Sequence, residues 1–301
     1  MTALKPYLQL VRLPNLFTAA ADSLAGYLLA RGSLGEPTLW LPLCGASVAI
    51  YAGGIALNDR VDYETDLRER PSRPLPSGRV SKGFAAGAAA VGLAAGPALA
   101  ALASPRAMGV AAALAICVVL YNAVLKRTQL APIVMGACRG LNLLLGLSLA
   151  SDYGGSWAWV AACSLGLFVA GLTWISRSEV ETGRSSGVAF GMVVQDLALV
   201  GLFAVATQAG KFPGATGERP ILPPEGLLAL AIVALIVNRA DGLALIDPRP
   251  ATIQRAVKTG VLSLVWLDVA LVAAVRGPGP ALAVAALWVP AFVLGKWLYS
   301  T

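Results

Sequence analysis

Apolar stretches long enough to cross a bilayer recur along this sequence, at residues 13–31, 37–57, 82–103, 107–125, 130–150, 156–176, 187–208, 225–245, 258–276 and 279–299. A helix needs about 20 such residues to span the hydrocarbon core. Residues of these types make up 57% of the chain and charged residues only 13%, too little polar surface for a soluble domain. The expected fold is all-α: one polytopic membrane helix bundle, residues 1–301, with about nine transmembrane helices. The count is nine or ten. The eighth stretch is broken by Asn238, Arg239 and Asp241, and Arg276-Gly-Pro-Gly-Pro joins the last two as a pair of spans or as one span plus an interfacial helix. The first stretch lacks a clear cleavage signature and many spans follow it, so it is read as a span rather than a cleaved signal peptide. Ala- and Gly-rich runs such as Ala85–Ala95 predict close helix–helix approach.

Basic residues predict the orientation. With the N-terminus in the cytoplasm, the loops after the second, fourth, sixth and eighth stretches hold most of the Lys and Arg, from Arg60, Arg68, Arg70, Arg73 and Arg79 to Arg249, Arg255 and Lys258. The opposite loops hold only Arg31, Arg106, Lys211, Arg219 and Arg276. The net charge of +7 is therefore topology and attraction to anionic membrane lipid, not a sign of a nucleic-acid partner. Histidine is absent, which excludes a His general base, His-ligated haem and His-containing zinc sites. Cys44, Cys117, Cys138 and Cys163 are scattered without metal spacing and read as small packing residues.

Where the second stretch runs into water the chain reads Asn58-Asp-Arg-Val-Asp-Tyr-Glu-Thr-Asp66. On a helix turning about 100° per residue, Asp59 and Asp66 fall almost in line and Asp62 lies about 60° to one side. Such a carboxylate face can hold Mg²⁺, and Mg²⁺ holds phosphate. Arg68, Arg70, Arg73 and Arg79 follow at once, offering cations to an anionic ligand. The spacing and the rim position favour a site over a solvated charged loop.

Charges inside spans are costly and face a cavity or a partner. Arg139 and Asn142, one turn apart in the fifth stretch, read either as ligands for an anionic substrate or as a structural pair with Asp196 or Asp268. Asn15 and Asp22, with Arg12, share a face of the first stretch that would line a pocket mouth. Gln195, Asp196 and Asp268 read as interhelical glue. Lys126, with Arg127, ends the fourth stretch, placed by topology yet in reach of a phosphate near the rim.

Residues 58–81, NDRVDYETDLRERPSRPLPSGRVS, resemble the first aspartate-rich motif of the UbiA family of intramembrane prenyltransferases, including the tail Arg73-Pro-Leu-Pro-Ser-Gly-Arg79. Arg12-Leu-Pro-Asn15, Tyr121-Asn-Ala-Val-Leu-Lys126-Arg127 and Cys138-Arg-Gly-Leu-Asn142 are similar to that family too, so the resemblance covers most of the chain. It implies a bundle of about nine helices around a laterally open cavity, with Mg²⁺ and an isoprenyl diphosphate near its cytoplasmic end. One departure stands out. The family's second Asp-rich loop, after the sixth span, is here Ser176-Arg-Ser-Glu-Val-Glu-Thr-Gly-Arg184, with Glu179 and Glu181 in place of Asp. That loop, and Gly260-Val-Leu-Ser-Leu-Val-Trp-Leu-Asp268, are similar to the UbiA-like subgroup called EboC. Residues two apart do not share a helical face, so Glu179 is the metal ligand expected and Glu181 the weaker contributor.

The resemblance implies a Mg²⁺-dependent prenyltransferase of a bacterial inner membrane, with active-site loops in the cytoplasm. Asn58, Asp59, Asp62 and Asp66 would hold metal with Glu179 and Glu181. Lys126 and Arg73 would neutralise the leaving diphosphate, and Asn15, Arg139 and Asn142 would bind substrate. The acceptor is not legible in the sequence. A second reading stays open: a transporter or non-catalytic lipid-phosphate binder on the same scaffold.

Overall fold

The computed structural model describes residues 4–150, 155–179, 185–208 and 224–299. All of its α-helical elements, joined by turns and the irregular 70–81 segment, are α1 (Lys5–Leu10), α2 (Leu13–Arg31), α3 (Pro37–Val61), α4 (Tyr63–Glu69), α5 (Lys82–Ala101), α6 (Pro105–Leu120), α7 (Ala131–Leu147), α8 (Gly155–Arg177), α9 (Ser185–Thr207), α10 (Pro224–Ile246), α11 (Pro250–Arg276), α12 (Pro278–Ala286) and α13 (Trp288–Tyr299). Local chemistry marks the ends. Proline sits in the first turn of α2, α3, α6, α7, α11 and α12, where its missing N–H is not needed. Ser81 and Ser104 cap α5 and α6, accepting from the Phe84 and Ala107 N–H groups at 3.1 and 3.0 Å. Gly32, at φ 78°, closes α2 in the left-handed conformation.

Eight of these rods, with α12–α13 taken together, are long and apolar enough to cross a membrane, so the chain is a multi-pass membrane protein. The expected helix-bundle class holds. Two differences from the sequence expectation have clear causes. The eighth stretch is not broken: α10 runs on through Asn238, Arg239 and Asp241, with proline only at its first position and none in its interior. α2 and α7 fall short as plain spans because they carry the polar groups that face the centre of the bundle; α7 is also only 17 residues long.

Neighbouring helices pack in a closed circuit, α2–α3–α5–α6–α7–α8–α9–α10–α11 and back to α2, with α2 also crossing α7. Lipid offers no hydrophobic drive for this packing, so close approach supplies it. At the α3–α5 crossing a Cβ on Gly92 would lie 2.6 Å from the Ala49 carbonyl oxygen and 2.8 Å from Gly53 Cα. Gly26 on α2 meets Gly146 on α7, Gly136 on α7 meets Gly166 on α8, and Gly171 on α8 meets Gly191 on α9 in the same way. The main core, around Tyr27, Leu28, Leu143, Leu145 and Phe168, lies between these crossings. A smaller one, of Leu10, Leu75, Val80 and Ala85, anchors the 72–80 segment beneath α1.

Candidate active site

The acidic segment folds differently from a single straight helix. α3 ends at Val61, Asp62 is a junction whose N–H donates to the Asn58 carbonyl at 2.9 Å, and α4 starts at Tyr63. Asp59 and Asp66 nonetheless meet on one cation, as their spacing expects, and Asp62 stands to one side with Asn58. The four oxygen donors thus form two pairs, each closed on a cation of the protein. Lys126 Nζ sits 2.5 Å from Asp62 Oδ1 and 3.5 Å from Asn58 Oδ1. Arg73 lies 2.7 Å from Asp66 Oδ2 and 3.9 Å from Asp59 Oδ1, and Arg12 adds a bond to Asp59 at 3.3 Å. Arg127 stands 3.9 Å from Asp62. Asp59 and Asp66 are only 4% and 3% exposed, which rules out a solvated charge run.

Two local features aim these cations. Tyr121–Leu125 forms a π-helical turn at the end of α6, and the extra residue re-aims Lys126 toward α3. The turn is tied back by Asn122 Nδ2, which donates to the Val118 carbonyl at 2.9 Å and the Gly54 carbonyl at 3.4 Å. Arg12, between α1 and α2, is at φ 49° and ψ 55°, the single non-glycine left-handed residue among those described. That conformation costs about 1–2 kcal/mol, and its ion pair with Asp59 offsets it.

Beside the cluster opens a cavity of about 460 Å³ reached from α2, α3, α6, α7, α8 and α11. Arg12, Asn15, Thr18, Tyr51, Tyr121 and Arg139 give it polar points; Leu114, Val118, Met135, Val169, Leu172 and Leu264 give it apolar walls. Such a volume suits a small-molecule site. Asn15 and Asn142 line it as expected. Asp22 does not line its mouth: it is fully buried, because it is the partner of Arg139, whose Nε is 2.7 Å from Asp22 Oδ2. Sequence reasoning named Asp196 or Asp268 as that partner. Asp268 instead faces the Asp22 carboxyl, while Asn142 Nδ2 donates to Asp22 at 2.9 Å. Asp268 on α11 thus meets groups of α2 and α7, the interhelical contact expected of it, and Gln195 of α9 is buried against Gly171 of α8. Cys163 is exposed and the other three cysteines are half-buried in helices.

The second loop is only partly visible. Glu179 Oε1 accepts a bond from Gln254 Nε2 on α11 at 2.6 Å, and Arg177 ties the end of α8 to the Thr128 carbonyl at 2.6 Å. Glu181 lies outside the described residues. Among the described residues no three acidic, Cys or His side chains converge on one point. The donor chemistry nonetheless fits Mg²⁺. All four groups of the first motif are hard oxygen donors, and each of its two pairs already closes on a positive charge, the Lys126 ammonium or the Arg73 guanidinium.

Comparison with known proteins agrees with this geometry. Residues 20–240 match the model of the UbiA prenyltransferase family. The digeranylgeranylglyceryl phosphate synthase of Methanoregula boonei is 27% identical over 273 residues, 86% of this chain and 92% of that protein. Several other curated relatives are matched over less than half of their length. The fold is that of a UbiA homologue from Aeropyrum pernix K1 (TM-score 0.70, 18% identity, 85% of this chain and 96% of that one). A UbiA homologue from Archaeoglobus fulgidus, solved bound to GPP and Mg²⁺, superposes with a TM-score of 0.58 at 16% identity, covering 88% of this chain and 99% of that one.

Proposed function

Since the chain belongs to the UbiA prenyltransferase family, we propose that it moves an isoprenyl group from an allylic diphosphate to an acceptor nucleophile, with Mg²⁺, inside the membrane. The observation that carries this reading is the oxygen-donor cluster, paired with long cationic side chains, at the polar end of a mostly apolar cavity. Family membership supports it over the transporter or lipid-phosphate-binder reading. We assign Asn58, Asp59, Asp62 and Asp66 to Mg²⁺, with Glu179 and Glu181 reaching in from the second loop. Bound there, the metal withdraws electron density from the diphosphate leaving group.

The chain's own residues do the rest. Lys126 and Arg73, released from their carboxylates, would stabilise the diphosphate, where charge develops as the allylic C–O bond breaks. The bonding electron pair leaves with the diphosphate oxygen. Asn15, Arg139 and Asn142 orient the substrate along α2 and α7. Leu114, Val118, Val169 and Leu264 hold the prenyl chain and keep water from the allylic cation until the acceptor attacks. The acceptor's proton passes to the released diphosphate or to a carboxylate of the cluster. We further propose that the membrane is a bacterial inner membrane and that the acidic rim faces the cytoplasm, on the strength of the Lys and Arg asymmetry between loops.

Purified protein incubated with radiolabelled allylic diphosphates, Mg²⁺ and candidate acceptors should yield prenylated product and free diphosphate, and a chelator should stop both. Binding of the diphosphate without turnover against every acceptor class, including hydroxyl-bearing lipids and aromatic acids, would return the chain to the binder reading.

A further inference from the structure

Cys117 and Cys138 are brought together by the antiparallel packing of α6 and α7. Cys117 stands eight residues before Leu125, where the π-helical turn ends, and Cys138 stands seven residues after Ala131, where α7 begins. At about 1.5 Å per residue both lie roughly 10–12 Å from the 126–130 turn, so the hairpin sets them level. They also face each other. Cys117 is one turn from Leu114 and one turn from Tyr121, and both of those line the apolar cavity together with Cys138. The Cys117 and Cys138 thiols share a hydrogen bond, and both side chains are half-buried.

The other two cysteines have no such setting. The Cys44 thiol turns to the Ala20 carbonyl of α2 at 3.9 Å, and Cys163 is exposed on α8. Packing accounts for those two. A hydrogen-bonded pair of sulfurs is different, because it is already in contact. Closing it to a covalent bond of about 2.0 Å asks only for a small movement of α6 against α7. Cys138 opens on the cavity, so a small reactant that enters the chamber meets the pair. Leu114, Val118 and Met135 wall that part of the cavity, so the reactant it admits there is uncharged and lipid-soluble.

We propose that Cys117 and Cys138 form a reversible oxidation site, a dithiol that an organic hydroperoxide dissolved in the membrane converts to an α6–α7 disulfide. One sulfur attacks the peroxide. The O–O bond breaks, the alcohol leaves with the thiol proton, and a sulfenic acid forms. The second sulfur attacks the sulfenic sulfur, its proton leaves with the hydroxide as water, and the S–S bond forms. The two thiols together lose two electrons, and one hydroperoxide is reduced to alcohol and water. A small thiol returns the pair to the dithiol by exchange. The new bond draws together two helices that wall the cavity, four residues before the π-helical turn that aims Lys126, so the oxidised protein turns over more slowly. That consequence rests on the prenyl-transfer reading; the oxidation site itself rests on the hairpin geometry alone.

The test uses the full chain in phospholipid vesicles, with cumene hydroperoxide as the probe. Free thiols are then labelled with a maleimide after denaturation, and the peptides are read by mass spectrometry. Cys117 and Cys138 should lose their label together, and a Cys117–Cys138 linked peptide should appear. Dithiothreitol should reverse both changes, while Cys44 and Cys163 keep most of their label. The same dose should lower prenyl transfer several-fold, and dithiothreitol should restore it. Cys117→Ala should form no disulfide at Cys138 and should hold its own basal rate through the treatment. Full labelling of both thiols, at a dose that oxidises free cysteine added to the same vesicles, overturns the site. A disulfide that joins two copies of the chain, or that takes in Cys44 or Cys163, overturns it too. A Cys117–Cys138 disulfide with unaltered turnover overturns the control of the reaction. The same disulfide in a protein that transfers no prenyl group would sink the prenyl-transfer reading and leave the oxidation site standing.

Discussion

At the rim, Asp59, Asp62 and Asp66 meet Arg12, Arg73, Lys126 and Arg127. In the interior, Asp22 and Asp268 meet Arg139 alone, with Asn142 as a neutral donor. The same residue types are used in both places. At the rim four cations meet three carboxylates, and these partners are long cationic arms with the reach to take a phosphate instead. In the interior the acid Asp22 is fully buried, and its guanidinium is 10% exposed where it edges the cavity. The first cluster is built to be exchanged with a ligand, the second to hold α2, α7 and α11 in one arrangement. The lesson is that charge in a membrane protein divides by access: what water and substrate can reach is chemistry, and what they cannot reach is architecture.

Four tests break or sharpen that contrast. The largest effect belongs to the rim. Asp62→Ala should lower prenyl transfer about a thousandfold, as loss of a metal-holding or charge-stabilising group does, with thermal unfolding moved by no more than about 2 °C. A fully active Asp62→Ala protein would remove Asp62 from the metal site. The next is its interior counterpart. Arg139→Leu strands a buried carboxylate and should cost about 3–5 kcal/mol of stability, read as a large drop in unfolding temperature in detergent. Adding Asp22→Asn should recover most of it. If Arg139→Leu unfolds like wild type, the Asp22–Arg139 pair holds nothing together and the contrast fails, whatever happens to substrate binding.

A smaller effect separates the two interior acids. Asp268→Asn removes the second of two carboxyls that share the one charge of Arg139, so the unfolding temperature should stay level or rise, a change within about 1 kcal/mol. A loss as large as that of Arg139→Leu would show that Asp268 carries the ion pair. The smallest concerns the second loop. Glu179→Gln should raise the Mg²⁺ concentration needed for half-maximal activity only a few-fold, since Glu179 already bonds Gln254. Glu181→Gln should shift it less. Superimposable Mg²⁺ titrations for wild type and Glu179→Gln would take the loop out of the metal site.

The bundle was legible because a membrane span announces itself by length and apolarity, and all ten stretches read from the sequence coincide with helices or, at the end, with the α12–α13 pair. The acidic motif was legible for a similar reason: hard oxygen donors at helical spacing beside a basic tail are rare at a membrane rim. What stayed hidden depends on backbone detail or on long-range partners. No Gly or Pro marks the break at Asp62, so a straight helix was the natural expectation, and the pairing of Asn58 with Asp62 through Lys126 was not. The π-helical turn at Tyr121 leaves no compositional trace. Arg139 plainly needed an acid, but Asp22, Asp196 and Asp268 are equivalent in sequence, and only the α2–α7 crossing selects Asp22.

The glycine crossings carry a consequence for selectivity. α2, α3, α7 and α8 wall the apolar cavity, and each is spaced from a neighbour by glycines in direct backbone contact, at Gly26–Gly146, Gly53–Gly92 and Gly136–Gly166. None of these six residues touches the cavity. They act as shims. One added methyl at any of them pries a pair of wall helices apart, so the bore of the chamber, and with it the length and branching of the chain it accepts, is gauged by positions a substrate never meets.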